Sequence, residues 1–518
     1  MAHAQLFRSA ARRTAPANAR NEAGGKAYAR SARQALAQYA ATGCFGTTFY
    51  ATPMAQLDKV IELCNQVPDD FIARTAVYAR QRAYMKDMPA LLLAVLAGRQ
   101  GDALDRVFDR VCDNGKMLRG FVQIVRSGVT GRRSLGTRPK RLVTRWLEQQ
   151  TDATLFRASV GNDPSLADVI KMVHPTPSTA SRRALFGYLV GRPYDPQALP
   201  ELVKAYEAYK ADQTQDLPNV PFQMLTSLPL DTKAWRQIAR SAKWQMTRMN
   251  LATFARHGVF EDRALTKQIA ARLSDREEIR QAKAFPYQLM VAHAHAGKDL
   301  PHELREALHD AMEHAVSNVP RINGHVYVLP DVSGSMHSPV TGHRKGGTSA
   351  VRCVDVAALV AAAILRSNRQ ATVMPFHDRV QPCAIEPRDS ILTNAKRLAS
   401  LPSGGTDCSA PLRELNRRKA KGNLVIFVSD NQSWIDRDRG WNSGTAVLTQ
   451  WDEYRRLNPK AKLVCIDVQP SPTIQAPDRA DILNVGGFSD AVFTMIDAFV
   501  HDRMHPDHWV HEIERISI

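Results

Sequence analysis

The apolar positions of this 518-residue chain follow two different rhythms. From Lys26 to about Val319, Ala, Leu, Arg and Gln recur at helical spacing, as in Ala27-Tyr28-Ala29-Arg30-Ser31-Ala32-Arg33-Gln34-Ala35-Leu36. Pro53, Pro68, Pro89, Gly98, Gly115, Gly128, Pro164, Pro175, Pro200, Pro229, Gly258 and Pro286 punctuate the pattern at helix-sized intervals. Thr52-Pro53 and Ser165 stand where N-caps belong, because a hydroxyl there accepts from an otherwise unpaired first-turn N–H. The expectation is many short helices packed in pairs, an α-solenoid-like arrangement without an exact sequence period.

After residue 322 the rhythm changes. His325–Leu329 reads as a short strand, Val354–Arg366 as an apolar helix, Ala371–Phe376 as a strand and Ser390–Leu401 as a helix. Leu424–Val428 is a buried-strand run, Thr445–Leu457 a helix, Leu463–Val468 a strand and Ala491–Val500 a closing helix. Strands of nearly continuous Val, Ile and Leu that alternate with helices imply a parallel sheet covered on both faces. The natural linker is Ser317-Asn318-Val319-Pro320-Arg321-Ile322-Asn323-Gly324. The chain therefore divides into a loose arm over residues 1–20, a helical domain over 21–320 and a doubly wound α/β domain over 321–518.

Composition adds little until charge is considered. An apolar fraction of 44% and a charged fraction of 23% are those of a globular chain. The first twenty residues lack the apolar stretch of a secretory signal, and Val356–Leu365, the longest apolar run, is too short for a membrane span. Seven cysteines without a CxxC point to a reducing, cytoplasmic setting. The net charge of +18 is uneven: residues 1–320 hold 45 Lys+Arg against 30 Asp+Glu, and residues 321–518 hold 24 against 21. A positive field on the helical part points to a polyanionic partner, and an inert basic surface is the competing reading that charge alone leaves open.

The sharpest local signal is Asp331-Val332-Ser333-Gly334-Ser335, directly after a strand. In this D-x-S-x-S order an aspartate and two hydroxyls can converge at a strand's carboxyl end, where open parallel sheets place ligands. These are hard oxygen donors suited to Mg²⁺ or another divalent cation. Thr406, in Ser403-Gly404-Gly405-Thr406-Asp407, and Asp430, after the strand Leu424–Val428, complete a set that resembles the metal-ion-dependent adhesion site of von Willebrand A domains. Asp407 reads as structural. The competing reading is that Asp331 and the serines cap a helix. A DxD phosphotransferase loop would need Asp at position 333, and no nucleophile with an acid–base partner accompanies the motif, so no catalytic residue is assigned.

Cations cluster at Arg132, Arg133, Arg138, Lys140 and Arg141, with Arg157, Lys171 and His174 downstream. Such a run can position phosphates, or can be a solvated helix face. His174-Pro175 ends a helix, so His174 either meets RNA or satisfies the helix's last carbonyls. Trp235 and Trp244 fit a core better than a stacking platform. His293 and His295 diverge on a helix and make no zinc pair.

Taken in order, these segments resemble the Ro autoantigen family, the TROVE-domain proteins, in a bacterial form. The likeness is carried by Asn21-Glu22-Ala23-Gly24-Gly25, Gly43–Ala51, Gly128–Trp146, Lys171–Pro177, Trp235–Gly258, Phe285-Pro286-Tyr287, Asp331–Met336 and Gly404–Ser409. The resemblance implies a monomeric ring of HEAT-like helical repeats closed by a von Willebrand A domain, without enzymatic activity. It further implies that the basic outer surface binds Y RNA-like small RNA and that the central hole takes single-stranded 3′ ends of misfolded or precursor structured RNA. An exoribonuclease such as polynucleotide phosphorylase is the implied protein partner, in RNA quality control, maturation or decay. By the same resemblance His174 falls on an RNA-contacting histidine and Arg157 near a basic position, whereas Gly161 stands where a further basic residue is expected, which implies a shifted contact set. Two alternatives stand beside this one: a metal-dependent protein-interaction module with incidental positive charge, and a metal hydrolase.

Overall fold

The computed structural model describes residues 14–43, 45–161, 163–282, 286–295, 300–315, 319–341, 351–435, 443–487, 489, 491–504 and 508–518. Residues 1–13 of the arm, Cys44, Phe285 and the 317–318 part of the linker lie outside this description.

From Ala32 to Ala315 the described chain is helical, and its helices begin and end where local chemistry dictates. The Thr52 hydroxyl accepts the Ala55 N–H at 3.2 Å and Pro53 opens the helix Pro53–Cys64. Ser165 and Asp168 form a reciprocal capping box at the start of Leu166–Val173. Gly128, at φ 90°, closes Gly115–Ser127 in the left-handed conformation that only glycine adopts cheaply. Each helix then buries one stripe: Met117, Leu118, Phe121, Val122 and Val125 on that helix, and Leu142, Val143, Trp146 and Leu147 on Thr137–Gln149.

A second device ties successive layers together. Arg99 donates to the carbonyl of Cys64, Arg132 to that of Ala97, Arg182 to that of Leu147 and Arg272 to that of Ala239, at sequence separations of 35, 35, 35 and 33 residues. Every one of these carbonyls lies in the last turn of an earlier helix, where it has no intrahelical donor. Arg–Asp pairs run at similar intervals: Arg99–Asp69, Arg106–Asp70, Arg138–Asp105 and Arg145–Asp109. A structural period of about 35 residues thus exists where no sequence period was visible.

The second domain is a five-stranded parallel sheet. Its strands are β3 (Val326–Pro330), β4 (Thr372–Val373), β5 (Leu424–Ser429), β6 (Lys462–Asp467) and β8 (Ile482–Gly486), in the order β4-β3-β5-β6-β8. Alternate residues face opposite cores. Val326, Val328, Ile426, Val464 and Leu483 meet the helices Cys353–Ser367, Ile391–Ala399 and Ala491–Val500. Tyr327, Leu329, Phe427 and Cys465 meet Ala410–Arg417 and Ala446–Leu457. Period-two alternation with apolar residues on both faces is what a sheet covered on both sides requires.

The N-terminal segment departs from the expectation of a loose arm and an immediate helix. β1 (Ala19–Arg20) pairs antiparallel with β2 (Lys26–Ala29), and β2 pairs with β7 (Thr473–Ile474) of the second domain. Ala27 and Tyr28 are buried, and Arg30 forms an almost fully buried ion pair with Asp467. Helix Ala32–Thr42 then packs on β8 and on the C-terminal helix His508–Glu514. At its far end the helical domain returns to the sheet domain, where His302–Ala315 packs on Ile391–Ala399 and Glu313 bonds Arg366. Both ends of the helical array therefore rest on the α/β domain. Six described cysteines carry free thiols, and no helix among the described residues is long and apolar enough to cross a membrane.

Candidate functional site

β3 lies between β4 and β5, so the chain leaves it in opposite directions along the sheet. That reversal opens a crevice at the strands' carboxyl ends. Asp331 follows β3 and Asp430 follows β5, and both carboxylates are buried, as are Ser333, Ser335 and Thr406. Asp331 Oδ1 accepts the Ser333 N–H at 2.8 Å, and its Oδ2 accepts the Ser429 hydroxyl at 2.6 Å. The Ser333 and Ser335 hydroxyls stand 3.4 Å apart. The Gly334 N–H donates to the Gly404 carbonyl at 3.0 Å, which joins this loop to the one that carries Thr406. The structure therefore brings Asp331, Ser333, Ser335, Thr406 and Asp430 to one place.

Electrostatics mark that place as short of positive charge. Burial raises the Asp331 carboxyl against the pull of its hydroxyl and amide donors. Burial and the neighbouring Asp331 charge push Asp430 up to about 7. Two carboxylates and three hydroxyls, all oxygen, fit a hard divalent cation such as Mg²⁺. Among the described residues no group of three His, Cys, Asp or Glu could hold a metal, so an ion here would rest on this mixed set. Helix capping does not account for these side chains, because the single 3₁₀ turn Ser335–His337 receives no side-chain cap. Asp407 is used internally: it accepts the Ser409 N–H and hydroxyl and pairs with Arg413.

The sheet domain does not build this site alone. The turn Asn21–Gly25 is fastened to the loop after Asp430: Asn21 Nδ2 donates to the Ser433 carbonyl at 2.6 Å, and the Glu22 N–H donates to Gln432 Oε1 at 2.8 Å. A Cβ on Gly25 would stand 2.0 Å from the Ser433 carbonyl oxygen, so only glycine allows this approach. Tyr50 comes close from the helical domain, within the fields of Asp430, Asp331 and Glu22. Neither Glu22 nor Tyr50 was identifiable as a site residue from spacing. Glu22 lay within the family-like segment Asn21–Gly25 and Tyr50 within Gly43–Ala51, and those segments were the only available signal.

The cationic run divides into two kinds of residue. Arg132 is committed to the Ala97 and Leu135 carbonyls, and Arg138 to Asp105 at 2.5 Å and the Arg99 carbonyl. The cationic run groups both with phosphate-facing residues; the structure uses them as braces between helical layers. Arg141 is well exposed but shares Asp105 at 2.8 Å. Arg157 is half-buried and donates to the Asn219 carbonyl at 3.0 Å. Arg133 and Lys171 are exposed and Lys140 half-buried, and their side chains have no hydrogen bond or ion pair among the described residues. His174 is exposed in the left-handed conformation, and its backbone N–H, not its ring, meets the Ile170 carbonyl at 3.0 Å. Trp235 and Trp244 are core residues, and Trp244 Nε1 bonds the Leu273 carbonyl. His293 packs edge-on against His309; the His295 side chain lies outside the described residues.

Gly161 has a specific neighbour. It lies at φ 104°, and a Cβ there would meet the Arg119 guanidinium at 2.4 Å. The missing side chain thus makes room for an arginine from the adjacent helix, one that sequence reading did not single out. Arg119, Lys86 and Lys116 line a cleft of about 790 Å³ together with the apolar Phe45 and Met54. Burial and the nearby cations lower Lys86.

Comparison with known proteins gives a consistent result. Residues 326–500 match the Ro60 vWA domain, and residues 223–315 match the TROVE domain. A Deinococcus radiodurans protein named RNA-binding protein RO60 is 24% identical over 522 residues, covering 93% of this chain and 94% of that protein. A Caenorhabditis elegans protein of the same name is 24% identical over 319 residues, 58% of this chain and 48% of that protein. The crystal structure of the Deinococcus radiodurans RO (RSR) protein superposes with a TM-score of 0.59 at 23% identity, over 92% of this chain and all of that one. With both family domains matched in order, on a helical region joined to a parallel-sheet domain, this chain belongs to the Ro family of TROVE-domain proteins.

Proposed function

We propose that this protein binds structured non-coding RNA through its helical domain and acts as a scaffold, without turnover, in RNA quality control, maturation or decay. The observation that carries the reading is a set of cations without a hydrogen bond or ion pair among the described residues: Arg133 in the loop before Thr137–Gln149, Lys140 on that helix, and Lys171, with His174 just after it, on the helix Leu166–Val173 packed against it, all in the half that holds the charge surplus. Cations already bonded within the fold have little left to offer a phosphate; unbonded ones release counterions on contact. The names of the Deinococcus and Caenorhabditis relatives support the same class of ligand. Y RNA-like small RNAs and the 3′ ends of misfolded RNA are the proposed ligands, and an exoribonuclease such as polynucleotide phosphorylase is the proposed partner. A reducing, cytoplasmic setting suits six free thiols.

The second domain contributes a divalent-cation site, with Mg²⁺ the proposed ion on Asp331, Ser333, Ser335, Thr406 and Asp430. When bound, such an ion supplies a position for a carboxylate or phosphate oxygen, which is a binding function. The test is fluorescence anisotropy with a labelled stem–loop RNA carrying a single-stranded 3′ tail, across a salt series. Affinity that falls steeply with salt and survives Asp331→Ala supports RNA binding by the helical domain. Absence of binding at low salt would overturn it.

A further inference from the structure

The cleft beside Gly161 has the makings of a binding site that the function proposed above does not use. Its volume of about 790 Å³ lies within the range of small-molecule pockets, roughly 300–1,000 Å³. Much of its lining is apolar and open to solvent: Met54 is 62% and Val129 37% exposed, and Phe45, Leu57 and Ile124 are half-buried. Phe45 holds a left-handed backbone, φ 49°, which a bulky residue keeps only where its surroundings fix it. Lys86, Lys116 and Arg119 line the same cleft, and their side chains make no ion pair among the described residues. The Arg119 Nε–H donates to the Gly115 carbonyl at 3.3 Å. Its two amino groups fill the space that a Cβ on Gly161 would need, and they have no partner among the described residues. Asp87 and Asp163 also line the cleft, so three cations stand with two carboxylates.

A glycine keeps this cleft open. Gly120 lies in the middle of the helix Gly115–Ser127, where glycine costs stability relative to ordinary helix formers, yet a Cβ there would meet no atom within 4 Å. Packing does not demand the glycine, and its effect is to leave room. An apolar wall beside free cations suits a ligand that is both flat and anionic. A nucleotide is one: its base stacks on aromatic or apolar side chains, its phosphate meets the cations, and its ribose hydroxyls and base amino groups can donate to carboxylates. A purely apolar ligand would cover Lys86, Lys116 and Arg119 without pairing them, and inorganic phosphate would leave Phe45 and Met54 in water.

We propose that this cleft holds one unstacked nucleotide, its base against Phe45, Met54 and Ile124 and its phosphate on Arg119 with Lys86 and Lys116. None of Arg133, Lys140 and Lys171 lines the cleft, so it is a second site on the helical domain. A single-stranded stretch of bound RNA and a free mononucleotide both present this chemistry. The first source rests on the RNA-binding reading above; the chemistry of the cleft does not.

The test uses the full chain, with calorimetry for AMP, adenosine and inorganic phosphate, and fluorescence anisotropy for labelled hexa-adenylate and a blunt stem–loop RNA. Adenosine and phosphate should each bind at least about tenfold more weakly than AMP, because each keeps only part of the contacts. Gly120→Leu fills the cleft, and Arg119→Met removes the phosphate's partner but keeps an aliphatic stem. Each should weaken the bound nucleotide by at least about tenfold. Gly120→Leu should not lower the melting temperature, since leucine is the better helix former, and should leave stem–loop affinity unchanged. AMP that competes with hexa-adenylate assigns the cleft to both sources. AMP bound without hexa-adenylate assigns it to the free nucleotide, and hexa-adenylate weakened by both variants without AMP binding assigns it to the strand. Binding of neither AMP nor hexa-adenylate, or parental affinities in both variants, would overturn the proposal. Failure of the parent to bind the stem–loop would sink the RNA-binding reading instead and leave the AMP result standing.

Discussion

The division of the cationic run into braces and free groups makes a quantitative prediction. Among the described residues Arg133, Lys140 and Lys171 have unbonded side chains, Arg133 in the loop before Thr137–Gln149 and the two lysines on packed helices, whereas Arg132 holds the Ala97 and Leu135 carbonyls. Each phosphate neutralised contributes about 0.7–0.9 to the slope of log affinity against log salt. Replacing the three free cations by alanine should lower that slope by about 2 to 3. Between roughly 50 and 200 mM salt, the parent's advantage over the triple variant should shrink by about 20- to 40-fold. Fluorescence anisotropy with one structured RNA at four or five salt concentrations reads this directly. Arg132→Ala is the control: it should lower the melting temperature and leave the slope of the folded protein unchanged. A triple variant with the parent's affinity and slope would refute the assignment of this face to phosphates. A slope change in Arg132→Ala as large as in the triple variant would refute the distinction between braces and free cations.

Three further perturbations follow from the junctions between elements. Arg30→Met should destabilise the fold by about 3–5 kcal/mol, because it leaves Asp467 buried and unpaired; urea denaturation should show this, together with substantial recovery in Arg30→Met/Asp467→Leu. His293 is held down to about 4 by burial, with His309, Lys396 and Arg305 adding to the shift. Between its ordinary 6.5 and about 4 the unfolded chain binds a proton that folded His293 refuses, so stability should rise with pH across that window. His293→Phe should flatten this part of a melting-temperature profile, and an unchanged acid limb would show that other groups carry it. Gly161→Ala should cost about 1–2 kcal/mol from its positive φ alone and push the Arg119 guanidinium aside, measurable as a lower melting temperature and altered RNA affinity.

The sequence made the sheet domain legible because its strands are local signals. Val326–Pro330 and Leu424–Ser429 are unbroken apolar runs, and the oxygen donors follow directly behind them. β8 escaped notice because Asn484 interrupts its apolar run; the structure buries that amide against the Ala476 carbonyl at 2.9 Å. Local pattern reads β1 and β2 as arm and helix because β2 finds its partner some 440 residues later, beyond the reach of any such pattern. The same distance hid Glu22 and Tyr50 from the site. Arg132 and Arg138 looked like their neighbours because a run of cations does not reveal which of them already have acceptors. Those acceptors, the Ala97 carbonyl and Asp105, lie one helical layer earlier.

The arginine brackets between layers have a mechanical consequence. A stack in which each layer holds the last turn of the one before behaves like a row of coupled links, and such rows ordinarily fray from their extremities. Here both extremities are clamped on the same α/β block, at Ala32–Thr42 and at His302–Ala315. The block thus does the work of two terminal caps, and the array has no loose end from which unravelling can start. Cutting the chain between the two matched domains should therefore expose two weak points at once, far apart in sequence and released by a single nick.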